Sequence, residues 1–109
     1  MITVTAVGRL TDDPVLRTTP NGKPVCEFRI AADRPGPMPA VDYLSIVVWR
    51  GAEANAEHLS KGRQVAITGR LEYESWETKD GSKRSRHRLN ASEVAWLQKP
   101  KSTTEDQAA

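Results

Sequence analysis

A single cysteine, Cys26, occurs in the 109 residues, so no disulfide can form within the chain and the fold must rest on buried apolar surface and backbone pairing. No apolar run approaches the roughly 20 residues that a membrane-spanning helix requires. The opening Met1-Ile2-Thr3-Val4-Thr5 has neither the basic segment nor the long apolar segment of a secretory leader, and an intracellular protein is expected. On that expectation both Cys26 and the sequon-like Asn90-Ala91-Ser92 are structural bystanders. Motifs that carry chemistry are equally sparse. His58 and His87 stand at no spacing, to each other or to acids, that makes a metal site or a general base. No glycine-rich phosphate cradle with its lysine is present. Asp12, Asp13 and Asp33 are the carboxylates on offer as metal ligands, and they lie in loop-forming stretches without a supporting His or Lys cluster. No catalytic residue, cofactor or metal is expected.

What is present suits one small domain with a real core: 38% hydrophobic and 28% charged residues in a chain of this length. Sixteen Lys and Arg against 14 Asp and Glu leave a net charge of +2, which permits binding to a polyanion without requiring it. Distribution says more. Between Lys83 and Lys101 stand Lys83, Arg84, Arg86, Arg88, Lys99 and Lys101 against the single acid Glu93, a run that serves either a polyanion or a merely solvated face.

Alternation with period two dominates the chain. Ile2, Val4, Ala6, Gly8 and Leu10 share one side of a first strand, with Thr3, Thr5, Val7 and Arg9 on the other. A turn-rich stretch through Asp12-Asp13-Pro14 and Pro20-Asn21-Gly22 leads to a second strand, Val25 to Asp33, whose core side is Cys26, Phe28, Ile30 and Ala32. Arg34-Pro35-Gly36-Pro37-Met38-Pro39 is a loop, since its prolines remove donors and fix φ. Asp42 to Arg50 sets Leu44, Ile46 and Val48 inward and Tyr43, Ser45, Val47 and Trp49 outward. A Tyr and a Trp on an outward side fit two uses, packing against a partner or stacking of bases.

Ala52 to Leu59 carries helix formers, with Gly62 placed where a left-handed C-terminal cap is expected. From Gln64 to Tyr73, Val65, Ile67, Gly69, Leu71 and Tyr73 face the core, while Thr68, Arg70, Glu72 and, further on, Trp76 fall on the other side. A hairpin turning at Asp80-Gly81 leads to a last strand from Lys83, with Arg84, Arg86 and Arg88 on one face and His87, Leu89 and Ala91 on the other. Val94 and Trp96 then break phase with Leu89 and Ala91, which calls for a bulge near Ser92-Glu93. Tyr73 and Trp96 are assigned to packing. Residues 98–109 lose all periodicity and read as a flexible polar tail, which leaves 1–97 as the folded domain. The order β, β, β, short helix, β, β is that of the all-β, five-stranded OB barrel, with the helix between strands three and four.

Val7-Gly8-Arg9-Leu10, Asp13-Pro14-Val15-Leu16-Arg17, Pro20-Asn21-Gly22, Phe28-Arg29-Ile30-Ala31, Tyr43 to Trp49, and Leu59-Ser60-Lys61-Gly62-Arg63-Gln64-Val65-Ala66-Ile67-Thr68-Gly69-Arg70-Leu71 running to Trp76 follow one another in the order and near the spacing of a known family. Over residues 1–97 the chain resembles the bacterial and phage-type single-stranded-DNA-binding proteins. The resemblance implies sequence-tolerant binding of single-stranded DNA during replication, recombination or repair, with Tyr43, Trp49 and Trp76 at the stacking positions. Arg9, Arg29, Arg70, Arg84, Arg86 and Arg88 become the candidates for phosphate contact. It also implies a cytoplasmic, nucleoid-associated protein and a homotetramer, to which the apolar-rich first strand would contribute by pairing with its symmetry mate.

Three departures qualify that picture. The family's additional stacking Trp has no counterpart around Asp33-Arg34-Pro35, so one base contact is expected to be lost. Glu72 and Glu74 lie on the face assigned to DNA, where the family tends to be neutral or basic, and are expected to repel phosphate. The segment Thr104-Glu105-Asp106-Gln107-Ala108-Ala109 has two acids and no Phe, unlike the family's acidic tip, so recruitment of replication and repair proteins by such a tip is not expected. The rival reading keeps the barrel and makes its aromatic face a protein-docking surface, as in a primosome-type adaptor.

Overall fold

The computed structural model describes residues 1–97. The expectations for the tail at 98–109 and for its acidic end lie outside the described residues. Strands β1 (Thr3–Leu10), β2 (Val15–Thr18), β3 (Pro24–Arg34) and β4 (Ala40–Val48) are followed by helix α1 (Ala52–His58) and by β5 (Gln64–Glu77) and β6 (Lys83–Trp96). They form one sheet in the order β1-β5-β6-β4-β3-β2, closed by a second pairing of β1 with β3. Five strands thus make a barrel with the helix between its third and fourth, as expected. All pairings are antiparallel except β4 with β6, which run parallel.

The last strand in that order, β2, stands where a turn-rich stretch was expected. Its four residues pair with the start of β3, Val15 opposite Glu27 and Thr18 opposite Pro24. The turn between them is the one that Asn21-Gly22 signals, with Gly22 at φ 81 and its N–H bonded to the Thr19 carbonyl at 2.8 Å. β2 escaped notice because every one of its side chains is exposed, so it has no apolar side to alternate.

Alternation put the core in place elsewhere. Leu10, Cys26, Phe28, Ile30, Ile46, Val48, Val65, Ile67, Leu89 and Ala91 form one buried cluster, into which α1 and the turn after it add Ala52 and Leu59. Each large aliphatic side chain buried there stabilises the barrel by about 1.5–3 kcal/mol. Three assignments need correction. Ile2 precedes the first paired residue and is exposed. Val47, on the outward side, is buried, because β4 runs between β3 and β6 with Glu27 and Asn90 standing beside it. Gly62 does not cap the helix: α1 ends in an extended Leu59, and Gly62 serves a separate turn from which its N–H reaches the Leu10 carbonyl at 2.9 Å.

The phase change in β6 is a bulge. β5 and β6 pair Thr68 with Glu93 but Gly69 with Ala91, so Ser92 has no opposite residue, and its hydroxyl donates to the Thr68 carbonyl at 3.0 Å. Gly69 is required there by sterics rather than by φ. A Cβ would stand 2.2 Å from the Asn90 oxygen and 2.8 Å from the Ala91 Cα. The sharp bend this permits carries β5 and β6 past the barrel as a long hairpin that ends in the turn Thr78–Ser82.

Candidate nucleic-acid interface

Strand register sorts the outward side chains into rows. On the hairpin, Trp76 lies opposite Arg84, Glu74 opposite Arg86, Glu72 opposite Arg88, and Arg70 opposite Asn90. The Arg88 row continues onto the barrel through Ser45 of β4 to Arg29 of β3. A neighbouring row runs from Tyr43 through Ala31 to Arg9. Eight of the nine sequence-assigned residues are exposed, and Arg88 is half-buried.

Two of the rings already carry guanidinium partners. Arg29 lies over Tyr43, its Cζ 4.8 Å from the ring centroid, and Arg86 lies over Trp76 at 5.6 Å. Tyr43 remains 57% exposed and Trp76 42%, so ring surface stays open to a further ligand. Trp49, just past the end of β4, is 41% exposed. An open hollow of about 260 Å³ beside this stack is lined by Arg17, Arg29 and Arg86 and by the acids Asp12, Asp13 and Glu27. A second, of about 440 Å³, is lined by Val7, Arg9, Ala31, Asp33, Val41 and Tyr43. Arg17 therefore joins this face, ion-paired with Glu27 at 3.6 Å. Only the pairing of β2 with β3 brings it there, so no sequence signal pointed to it.

Glu72 and Glu74 are ion-paired. Glu74 stands 3.4 Å from Arg86 Nε and 3.1 Å from Arg88 Nη1, and Glu72 stands 3.6 Å from both Arg88 Nε and Arg70 Nη2. The register that makes these pairs was within reach of sequence, by counting outward from the turn at Asp80-Gly81. At the rim of the loop after β3, Arg34 and Asp42 form a hydrogen-bonded ion pair that holds the Asp42 carboxyl below its ordinary range.

Two aromatic residues assigned to packing behave differently from each other. Tyr73 has the core phase but is 64% exposed, because β5 has left the barrel by that point; it meets His87 across the hairpin, edge to face at 5.2 Å. Trp96 does pack. Its Nε1–H donates to Asn55 Oδ1 at 2.8 Å, and its ring lies 5.1 Å from His58 on α1. Asn55 is buried and in turn donates to the Gly51 carbonyl at 2.8 Å, which ties the end of β6 to the start of the helix.

The model of the Single-strand binding protein family matches residues 1–97. The chain belongs to that family. It is 42% identical over 100 residues to the single-stranded DNA-binding protein of Corynebacterium glutamicum, across 84% of this chain and 44% of that protein. It is 40% identical over 98 residues to single-stranded DNA-binding protein 2 of Clostridium acetobutylicum, across 84% of this chain and 73% of the relative. The chain therefore spans less than half the length of the first relative and about three quarters of the second. Among solved structures it is similar to a Plasmodium falciparum single-strand binding protein in complex with single-stranded DNA, with a TM-score of 0.82 over 90% of this chain and 96% of that one. At 20% identity that likeness carries the barrel and not its side chains.

Proposed function

We propose that the chain binds single-stranded DNA with little regard to sequence, stacking bases on Tyr43, Trp49 and Trp76 and meeting phosphates with Arg9, Arg29, Arg70, Arg84, Arg86 and Arg88. The observation that carries the reading is the pairing of exposed rings with arginines, Tyr43 with Arg29 and Trp76 with Arg86, in a member of the single-strand binding family. Every base has a π face, so stacking is worth about 1–3 kcal/mol per base whatever the base, and the arginines add a salt-sensitive term. The function that follows is protection of exposed strands in the cytoplasm during replication, recombination or repair, by binding rather than catalysis.

Titration with oligo-dT at low salt, followed by tryptophan emission, tests this. Quenching by Trp49 and Trp76, reversed by added salt, is the expected outcome. Emission and anisotropy that stay unchanged would favour the rival adaptor, whose aromatic face docks protein.

The same reading includes a homotetramer. β1 meets β3 only at Arg9 and Leu10, so among the described residues Thr3 to Gly8 pair with β5 alone and keep one edge available for a second copy. Sedimentation should give a mass above the 12.1 kDa of one chain; a monomer at every concentration would overturn the assembly while leaving DNA binding intact.

A further inference from the structure

Resting on the proposed single-strand binding, we infer that Glu72 and Glu74 occupy the phosphate-contacting arginines of the hairpin in the absence of DNA and so set the chain's affinity. Two carboxylates, each about one-third exposed, face three guanidiniums, those of Arg70, Arg86 and Arg88. Asn90 also donates its amide to Glu72 at 3.3 Å. The carboxylates hold these cations by charge more than by good hydrogen bonds, since three of the four contacts lie between 3.4 and 3.6 Å. Arg88 Nε is buried and has no hydrogen-bond partner, with Glu72 Oε1 3.6 Å away. Arg88 thus keeps an unsatisfied nitrogen even with two carboxylates beside it, so its fork is incompletely paired in the absence of DNA.

The consequence is electrostatic. The outward face of the hairpin carries Arg70, Arg84, Arg86 and Arg88, but two of those four charges are cancelled in place. An entering strand has to displace Glu72 and Glu74, and two carboxylates then remain beside its phosphates. Arg70, Arg86 and both glutamates keep a third or more of their side-chain surface in solvent, so their pairs contribute little to stability and are displaceable; Arg88, about one-quarter exposed, is the most enclosed member of the cluster. Their effect falls on binding.

The test compares the wild-type chain with Glu72→Gln/Glu74→Gln for oligo-dT affinity across salt concentrations. A control, Glu53→Gln/Glu57→Gln, makes the same change in net charge on exposed positions of α1, away from this face. Two freed phosphate contacts steepen the slope of log K against log salt by about 1.4, which at 0.1 M is about 25-fold tighter binding that vanishes near 1 M. The α1 control should move the slope far less. An unchanged or weaker hairpin variant, with its melting temperature intact, would overturn the inference, and so would a control that gains as much. If neither the wild type nor the hairpin variant binds, the parent reading of the protein fails. A wild type that stays silent while the hairpin variant binds would support the inference most strongly.

Discussion

Trp76 and Trp96 are almost equally exposed, at 42% and 41%, yet the proposed function assigns them opposite roles, and one pair of substitutions separates them. Trp76 stands on the hairpin beyond the barrel, opposite Arg84 and under the guanidinium of Arg86. Replacing it with Ala removes one stacking surface. The expected cost is about 1–3 kcal/mol of binding, or about 5- to 150-fold in Kd for oligo-dT, with little change in melting temperature. Trp96 bonds to Asn55, which is 7% exposed, so Trp96→Phe keeps an aromatic ring, smaller than the indole, and leaves Asn55 Oδ1 without its donor. An orphaned buried acceptor costs about 1–3 kcal/mol of stability. For a domain of this size each kcal/mol lowers Tm by about 4–8 °C, so a fall of at least about 4 °C is expected, with binding within about twofold of wild type. Anisotropy of a labelled oligonucleotide and a thermal melt on the same samples read both effects. The reasoning is refuted if Trp76→Ala binds within twofold of wild type, or if Trp96→Phe loses more binding than Trp76→Ala.

Gly69→Ala should destabilise by about 1–3 kcal/mol, because the added Cβ meets backbone of the bulged strand at 2.2 and 2.8 Å; a melting temperature within 2 °C of wild type would contradict the steric account. The Cys26 thiol is wholly buried and pushed up to about 11, mainly by burial and further by the charge of Glu27, so it should resist thiol reagents in buffer and react fast in denaturant. Equal rates in the two conditions would place it outside the core. The Asp42 carboxyl, held down by its hydrogen bond from Arg34, should titrate below the ordinary aspartate value of about 3.9, and Arg34→Ala should return it there. Because the folded value is the lower one, whatever this pair adds to stability is present above that ordinary value and disappears as pH falls through the folded one, which an NMR pH titration follows directly.

Period-two alternation made the barrel legible because one side of each barrel strand is core. It even located the bulge, since Ser92 shifts the phase of everything after Ala91. The same rule failed where its premise lapsed. β2 has no buried side, so nothing in Val15-Leu16-Arg17-Thr18 alternates. Val47 has the outward phase, but its neighbours on both sides cover it. Tyr73 has the inward phase at a point where there is no longer an interior. Phase reports a side of the sheet, while burial depends on what stands over that side. The candidate site was legible as residue types and faces. Its ion pairs were not read, because they depend on register across the hairpin rather than on alternation within one strand.

Leu89, directly opposite the half-buried Leu71, is the last core residue of β6 before the hairpin leaves the barrel. Beyond them Glu72 and Arg88 are still part-buried, and further out the hairpin opens on both sides, with Tyr73 and His87 on one and Glu74 and Arg86 on the other. Substitutions past that pair cost little packing, because there is little packing to lose. Trp76, Arg84, Arg86 and both glutamates lie in this region, whereas Arg29, Tyr43 and Arg9 sit on strands whose other face is core. On the proposed function, the hairpin is thus the part of the molecule where charge and stacking vary at least cost to the fold, which is why the glutamate variant is read first by its affinity.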